Sequence, residues 1–291
     1  MFDSQTLKKF EFLSIASSRP FAGQTTGTRR NAKMGGGLEF ADYRDYAFGE
    51  DLRNLDWNVY ARFESLYIKR YQEEGDVPVY CFLDASRSMG ATSDAPKFEY
   101  AKKVVGALGY ISLSRLDSIA AFAITNRAED YFPLARGKER FLSFARFLEP
   151  LAPYDAPTDI TSAVQDALKK ISKPGLAILV GDCFDPNGLD AALERLLSRK
   201  FEPIVLQIYT PEEARPTEVG DFEFVDAETG ALRKLTVDER ALKRYAKRFQ
   251  AFLAATRESC VKRGVRYYSA DTRVPFDSLL LDVARDINVG R

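Results

Sequence analysis

The chain reads as an α/β protein, a mostly parallel sheet with helices on both faces, and three observations predict it. From residue 77 onward, apolar runs of strand length alternate with segments at helical spacing. The runs at 77–83, 118–125, 176–180 and 204–209 are apolar almost throughout, the pattern of strands covered on both sides. Between them apolar residues recur at intervals of three and four, as Phe98, Ala101, Val105 and Leu108 do.

Residues 1–33 open with a short amphipathic stretch (Leu7, Phe10, Phe12, Leu13). They then turn polar, with Arg29, Arg30 and Lys33 ahead of Gly35-Gly36-Gly37. An ordered arm of little regular structure is expected there. Residues 39–74 mix charges densely and hold the single tryptophan, Trp57. Within them 58–62 and 66–71 read as two short strands joined by a turn at 63–65, with Trp57 anchoring the segment by burial. The strand at 77–83 is followed by a helix for which Pro96 suits the first turn. A strand at 118–125 and an edge strand at 128–132 come next, then helices at 138–148 and 159–170. The strand at 176–180, the helix at 189–199 and the strand at 204–209 continue the alternation. Segments 222–225 and 231–237 flank Asp226-Ala227-Glu228-Thr229-Gly230 and read as a β-hairpin with glycine at its turn. A long helix over 239–263 carries Leu242, Tyr245, Phe249 and Phe252 on one face, and a strand at 265–269 and a helix at 276–287 close the chain. The domain boundary falls at 76/77: an arm and small β-containing subdomain over 1–76, then the α/β domain over 77–291 with the hairpin inserted at 222–237.

Composition narrows the function. Of 291 residues 45% are hydrophobic and 29% charged, ordinary for a globular protein able to bury a substantial core. Lys+Arg and Asp+Glu are both 42, so no global field draws in nucleic acid or a membrane surface. The apolar runs are too short to span a bilayer, and Met-Phe-Asp-Ser-Gln-Thr-Leu-Lys-Lys carries no signal-peptide core. A cytoplasmic protein is expected. Cys81, Cys183 and Cys260 lack metal-ligand spacing and read as small core residues. The chain has no histidine, which excludes histidine-based zinc sites and Ser-His triads.

Chemistry gathers where strands end. The strand at 77–83 runs into Asp84-Ala85-Ser86-Arg87-Ser88, a carboxylate and two hydroxyls in one turn. In open α/β sheets, ligands collect outside the carboxyl ends of the strands. A second loop, Tyr154-Asp155-Ala156-Pro157-Thr158-Asp159, offers Thr158 at a helix entrance. A third, Gly181-Asp182-Cys183-Phe184-Asp185, offers Asp182. Together Asp84, Ser86, Ser88, Thr158 and Asp182 supply hard oxygen donors of the kind Mg²⁺ or Mn²⁺ takes, with coordination left over for water and one outside oxygen. Asp and Ser also cap helices and turns, so a metal-free scaffold is a competing reading. A metal-dependent hydrolase or phosphatase using Asp84 is another, though with no histidine for general-base work.

This donor set resembles the metal-ion-dependent adhesion site (MIDAS) of von Willebrand factor A-type domains, Asp-x-Ser-x-Ser followed by a Thr and an Asp. The resemblance covers about 77–210 with the last strand and helix. It implies that Ser86, Ser88 and Thr158 bind the ion directly, with Asp84 and Asp182 acting directly or through water. Gly181 departs from the Ser or Thr common before the last Asp, and Arg87 adds a cation that either weakens the ion's binding or attracts an acidic partner.

Upstream, Gly35-Gly36-Gly37-Leu38-Glu39-Phe40, Arg44-Asp45-Tyr46, Gly49-Glu50-Asp51-Leu52-Arg53-Asn54-Leu55-Asp56-Trp57 and Ala61-Arg62 resemble the signature of the bacterial family called domain of unknown function 58. Gly-Glu-Asp stands for its Gly-Asp-Asp and Leu55 for its Ile. The charges of this segment can pair to fix a small subdomain, or else Arg44, Arg53, Asp56 and Arg62, with Arg87, form a docking face. Similar proteins are associated with MoxR-type AAA+ ATPases. The resemblance therefore implies a non-enzymatic adaptor or cochaperone that meets such an ATPase, and its client complexes, through a bound divalent ion.

Overall fold

The computed structural model describes residues 39–47, 55–63, 65–72, 78–90, 96–115, 117–225 and 231–288. These fall into two compact units, 39–72 and 78–288. The arm over 1–33, the triple glycine, Arg53 and the hairpin turn at 226–230 lie outside the described residues.

In the smaller unit, β1 (Glu39–Asp45) pairs antiparallel with β2 (Tyr67–Gln72), and α1 (Trp57–Phe63) lies between them in the chain. The expected strand at 58–62 is therefore a helix. Asp56 explains it: its carboxylate accepts from the Val59 amide at 3.4 Å and its carbonyl from the Tyr60 amide at 3.1 Å. An acidic N-cap outweighs the strand preference of Val59 and Tyr60. Trp57 is not buried as expected. It is 59% exposed and meets Tyr60 edge-on, centroids 6.1 Å apart.

The larger unit carries the expected α/β architecture. Its strands are β3 (Pro78–Asp84), β4 (Ser118–Ile124), β5 (Ala128–Arg136), β6 (Leu176–Gly181), β7 (Glu202–Tyr209), the hairpin pair β8 (Gly220–Val225) and β9 (Leu232–Val237), and β10 (Arg266–Asp271). The main sheet has the order β10-β7-β6-β3-β4-β5, parallel except for the antiparallel edge strand β5. β8 and β9 pair separately, as the hairpin reading expects. The helices are α2 (Pro96–Ser114), α3 (Phe141–Leu148), α4 (Ile160–Ala167), α5 (Asp190–Ser198), α6 (Pro211–Ala214), α7 (Glu239–Lys262) and α8 (Phe276–Asn288).

Strand alternation sorts the core into two layers. Val79, Cys81 and Leu83 face a cluster with α2, α3 and α8 residues, including Phe98, Phe144 and Leu280. Tyr80 and Phe82 face the other, with Ile160, Leu193 and Cys260 from α4, α5 and α7. Every residue of β3, β4 and β6 is buried, which is why their sequences are apolar without alternation. Each fully buried Phe or Leu contributes about 1.5–3 kcal/mol. All three cysteines are buried, as expected. α2 and α3 approach so closely at Gly109 that a Cβ there would sit 2.1 Å from the Phe144 ring.

The strand order positions the site. The chain leaves β3 toward β4 and β5 on one side, then returns to build β6, β7 and β10 on the other. The order reverses between β3 and β6, the place where open α/β sheets leave a crevice. Asp84 ends β3, and Asp182 follows the last residue of β6.

Candidate functional site

Asp84, Ser86, Ser88, Thr158 and Asp182 are all buried and all belong to the larger unit. The β3 loop turns on itself: the Ser86 amide donates to Asp84 Oδ1 at 2.9 Å, and the hydroxyls of Ser86 and Ser88 lie 3.1 Å apart. The loop over 151–159 is tied against it by backbone bonds, Tyr154 amide to Ala85 carbonyl (2.7 Å) and Arg87 amide to Ala156 carbonyl (3.1 Å). Asp159 caps α4, accepting from the Ser162 amide at 2.9 Å, so Thr158 sits at the helix entrance. The third loop joins through Asp185, which accepts from the Ile160 amide at 2.7 Å. Gly181 brings β6 against Asp84; a Cβ there would stand 2.4 Å from Asp84 Cβ and 3.0 Å from its Oδ2. This close approach accounts for a glycine at position 181.

The two carboxylates differ. Asp84 Oδ2 is buried and has no hydrogen-bond partner among the described residues. Burial first, then the charge of Asp182, pushes the Asp84 carboxyl up to about 7, against the opposing pull of Ser86 and Lys97. Asp182 is engaged at every oxygen. Oδ1 accepts from the Phe184 amide (3.0 Å), Oδ2 from the Lys97 ammonium (2.8 Å), and its carbonyl from the Gln207 amide group (2.8 Å).

Lys97, in the first turn of α2, is itself buried and also donates to Glu213. Burial alone would lower its proton affinity, but Asp182 and Glu213 hold it above the usual lysine range. Glu213 completes a capping box with Thr210 at the start of α6. The Lys97 ammonium also lies 5.5 Å from the Phe184 ring centroid.

Lys97 and Glu213 were not among the residues the sequence singled out. Nothing in the Pro96-Lys97-Phe98 pattern marks that lysine as buried. Nor was Thr210-Pro211-Glu212-Glu213 singled out; its Thr-x-x-Glu spacing is a capping signal, but nothing in it points to the strand ends.

The donor chemistry fits a hard divalent cation. An orphaned, fully buried carboxylate oxygen stands beside two converging hydroxyls, and a strand end without a side chain leaves room for it. Asp84, Ser86, Ser88 and Thr158 could hold such an ion, with Asp182 already balanced by Lys97. Among the described residues, no group of three or more His, Cys, Asp or Glu side chains is placed to bind one. A cation here therefore depends on hydroxyl and water oxygens.

Of the other candidates, Arg87 is partly exposed and pairs with Asp155 at the rim of the loops. Asp56 is the buried cap of α1 and Arg62 lies exposed on that helix; Arg44 is on β1. They belong to the smaller unit, apart from Arg87. Among the described residues no helix is long and apolar enough to cross a membrane.

A family model described as protein of unknown function DUF58 matches residues 42–258. An uncharacterized protein of Mycobacterium tuberculosis is 23% identical over 229 residues, which is 78% of this chain and 72% of that protein. Two solved structures are similar in fold. BatB from Bacteroides thetaiotaomicron has a TM-score of 0.45 at 17% identity, over 74% of this chain and 98% of that one. An aerotolerance-related membrane protein from Bacteroides fragilis has a TM-score of 0.48 at 19% identity, over 73% of this chain and 99% of that one.

Proposed function

The chain belongs to the DUF58 family, and from that premise we propose that it is a non-enzymatic protein–protein interaction module whose partner contact is completed by a divalent metal ion, Mg²⁺ or Mn²⁺. The observation that carries this reading is Asp84 Oδ2, buried without a hydrogen-bond partner beside the Ser86 and Ser88 hydroxyls. An ionised carboxylate so placed calls for a cation. Asp84, Ser86, Ser88 and Thr158 would hold the ion, and Asp182 would act directly or through water. Bound there, it would supply positive charge and a coordination position for a carboxylate of the partner. Of the chain's own groups, Asp84 provides the uncompensated negative charge, and the serine hydroxyls fix where it is met. Lys97 keeps Asp182 oriented, and Arg87 with Asp155 forms the rim that a partner meets first.

By the family resemblance, the partner we propose is a MoxR-type AAA+ ATPase, and the role is that of a cytoplasmic adaptor or cochaperone in assembly or maturation of client complexes. The test is affinity capture of the tagged protein from its native lysate with Mg²⁺ and again with EDTA, using the original chain and Asp84→Ala. An AAA+ ATPase captured only with Mg²⁺, and lost in Asp84→Ala, is the expected result. Capture unaffected by EDTA would move the interface to the smaller unit, and no capture in either condition would remove the ATPase. Mg²⁺-dependent turnover of a generic phosphoester, lost in Asp84→Ala, would replace the adaptor reading with a hydrolase.

A further inference from the structure

The exposed face of α7 carries a charge arrangement that the fold does not use. From Arg240 to Arg257 there is no Asp or Glu, in a chain whose Lys+Arg and Asp+Glu balance overall at 42 each. At 3.6 residues per turn, Arg240, Lys243, Arg244, Lys247 and Arg248 fall on the side away from Phe249 and Cys260, the two residues of α7 buried in the structure. All five are exposed. None makes a hydrogen bond or ion pair through its side chain with another described residue. Ala251, Ala254 and Ala255, also exposed, continue the same face with small side chains.

This arrangement works against the helix that bears it. Arg240–Arg244, Lys243–Lys247 and Arg244–Arg248 are like-charge pairs at four-residue spacing, and such pairs destabilise a helix. Arg240 also lies in the first turn of α7, where the backbone dipole favours acids. The helix start has an acidic cap, since Asp238 accepts from the Ala241 amide at 2.6 Å. Among the described residues no side-chain hydrogen bond or ion pair of these five offsets the repulsion, and a partner's acidic groups would.

We infer that the N-terminal half of α7 is a docking surface for an acidic segment of a partner protein, engaged through Arg240, Lys243, Arg244, Lys247 and Arg248. Charge complementarity selects the partner's chemistry. A nucleic-acid surface is disfavoured because the whole chain has a pI near 6.5 rather than strongly basic. A lipid surface is disfavoured because between Arg240 and Ala255 this face of the helix adds no large apolar residue of the kind interfacial helices insert. The inference is independent of the metal reading, for none of these residues belongs to the strand-end loops.

The test measures binding of fluorescein-labelled poly-L-glutamate to the full chain at low salt, with duplex DNA and phosphatidylglycerol-containing vesicles as comparators. Arg244→Glu/Lys247→Glu reverses two charges on the stripe and turns all three four-residue pairs attractive. Arg146→Glu/Arg195→Glu reverses two exposed charges on α3 and α5 and matches the net charge. The stripe variant is expected to bind poly-L-glutamate about tenfold or more weakly, with a melting temperature unchanged or raised, while the matched variant binds as the original does. Equal losses in both variants, or no binding by the original chain, would overturn the inference. Tighter binding of DNA or vesicles than of poly-L-glutamate, lost in the stripe variant, would overturn it in favour of that surface. Self-association in sedimentation that the stripe variant abolishes would assign the face to a second copy instead.

Discussion

Asp84 and Asp182 stand at the ends of neighbouring strands, equally buried, with opposite states of satisfaction. Asp182 has a cation, a backbone amide and a side-chain amide on its three oxygens. Asp84 has one amide on one oxygen and nothing on the other. The same residue type at the same height on one sheet is a structural strut in one loop and an open electrostatic demand in the next. The lesson is that burial alone does not mark a ligand. What marks one is a buried charge whose compensation the chain does not supply.

The largest effect expected from this contrast is on stability. Asp182→Ala strips Lys97 of one of its two carboxylates and should cost about 3 kcal/mol in denaturant unfolding, as breaking a buried ion pair does. Asp84→Ala in EDTA should cost about 1 kcal/mol or less, since only one amide bond is lost. Equal costs would erase the distinction. Gly181→Ala comes next: its Cβ would press on Asp84, costing about 1–3 kcal/mol as overpacking does. It should also weaken Mn²⁺ binding in titration calorimetry more than it weakens the fold.

The pH dependence sharpens the same contrast. Folding raises the Asp84 carboxyl from 3.8 to about 7, so between these values the folded chain holds a proton that the unfolded chain has released. In EDTA this stabilising contribution is present below about pH 4 and lost as pH rises through about 7. Asp84→Asn should flatten that part of the stability profile, and a profile unchanged by the substitution would assign the titration elsewhere. The smallest effect expected is for Ser86→Ala, which removes the hydroxyl contact to Ser88 and should cost about 1 kcal/mol, with Mn²⁺ affinity reduced less than by Asp84→Ala.

Much of the larger unit was legible because its strands are buried on both sides. β3, β4, β6 and β7 announce themselves as apolar runs; the ends of β3 and β6 lead into the Asp and Ser residues of the site, and Thr158 joins them from the loop that enters α4. The smaller unit was less legible. Residues 57–63 look like a strand by composition, and only Asp56 ahead of them, read as a cap, indicates a helix. Within the site, one loop at a time can be read from local sequence, but Lys97 reaches Asp182 across 85 positions and Glu213 across 116. No local pattern records a partner so distant in the chain. Likewise the α7 cations look like an ordinary solvated face until the buried residues fix which side they share.

Glu213 has a further consequence. One of its oxygens holds the Lys97 ammonium and the other the Thr210 amide, the latter at 2.9 Å. A single side chain therefore connects the end of β7 to the base of the site, and solvent exchange at one amide reports on the cation held beside Asp182. Lys97→Met frees that carboxylate, and deuterium should then enter the Thr210 amide faster. The exchange rate of one proton on the rim of the sheet would thus register an event at its centre.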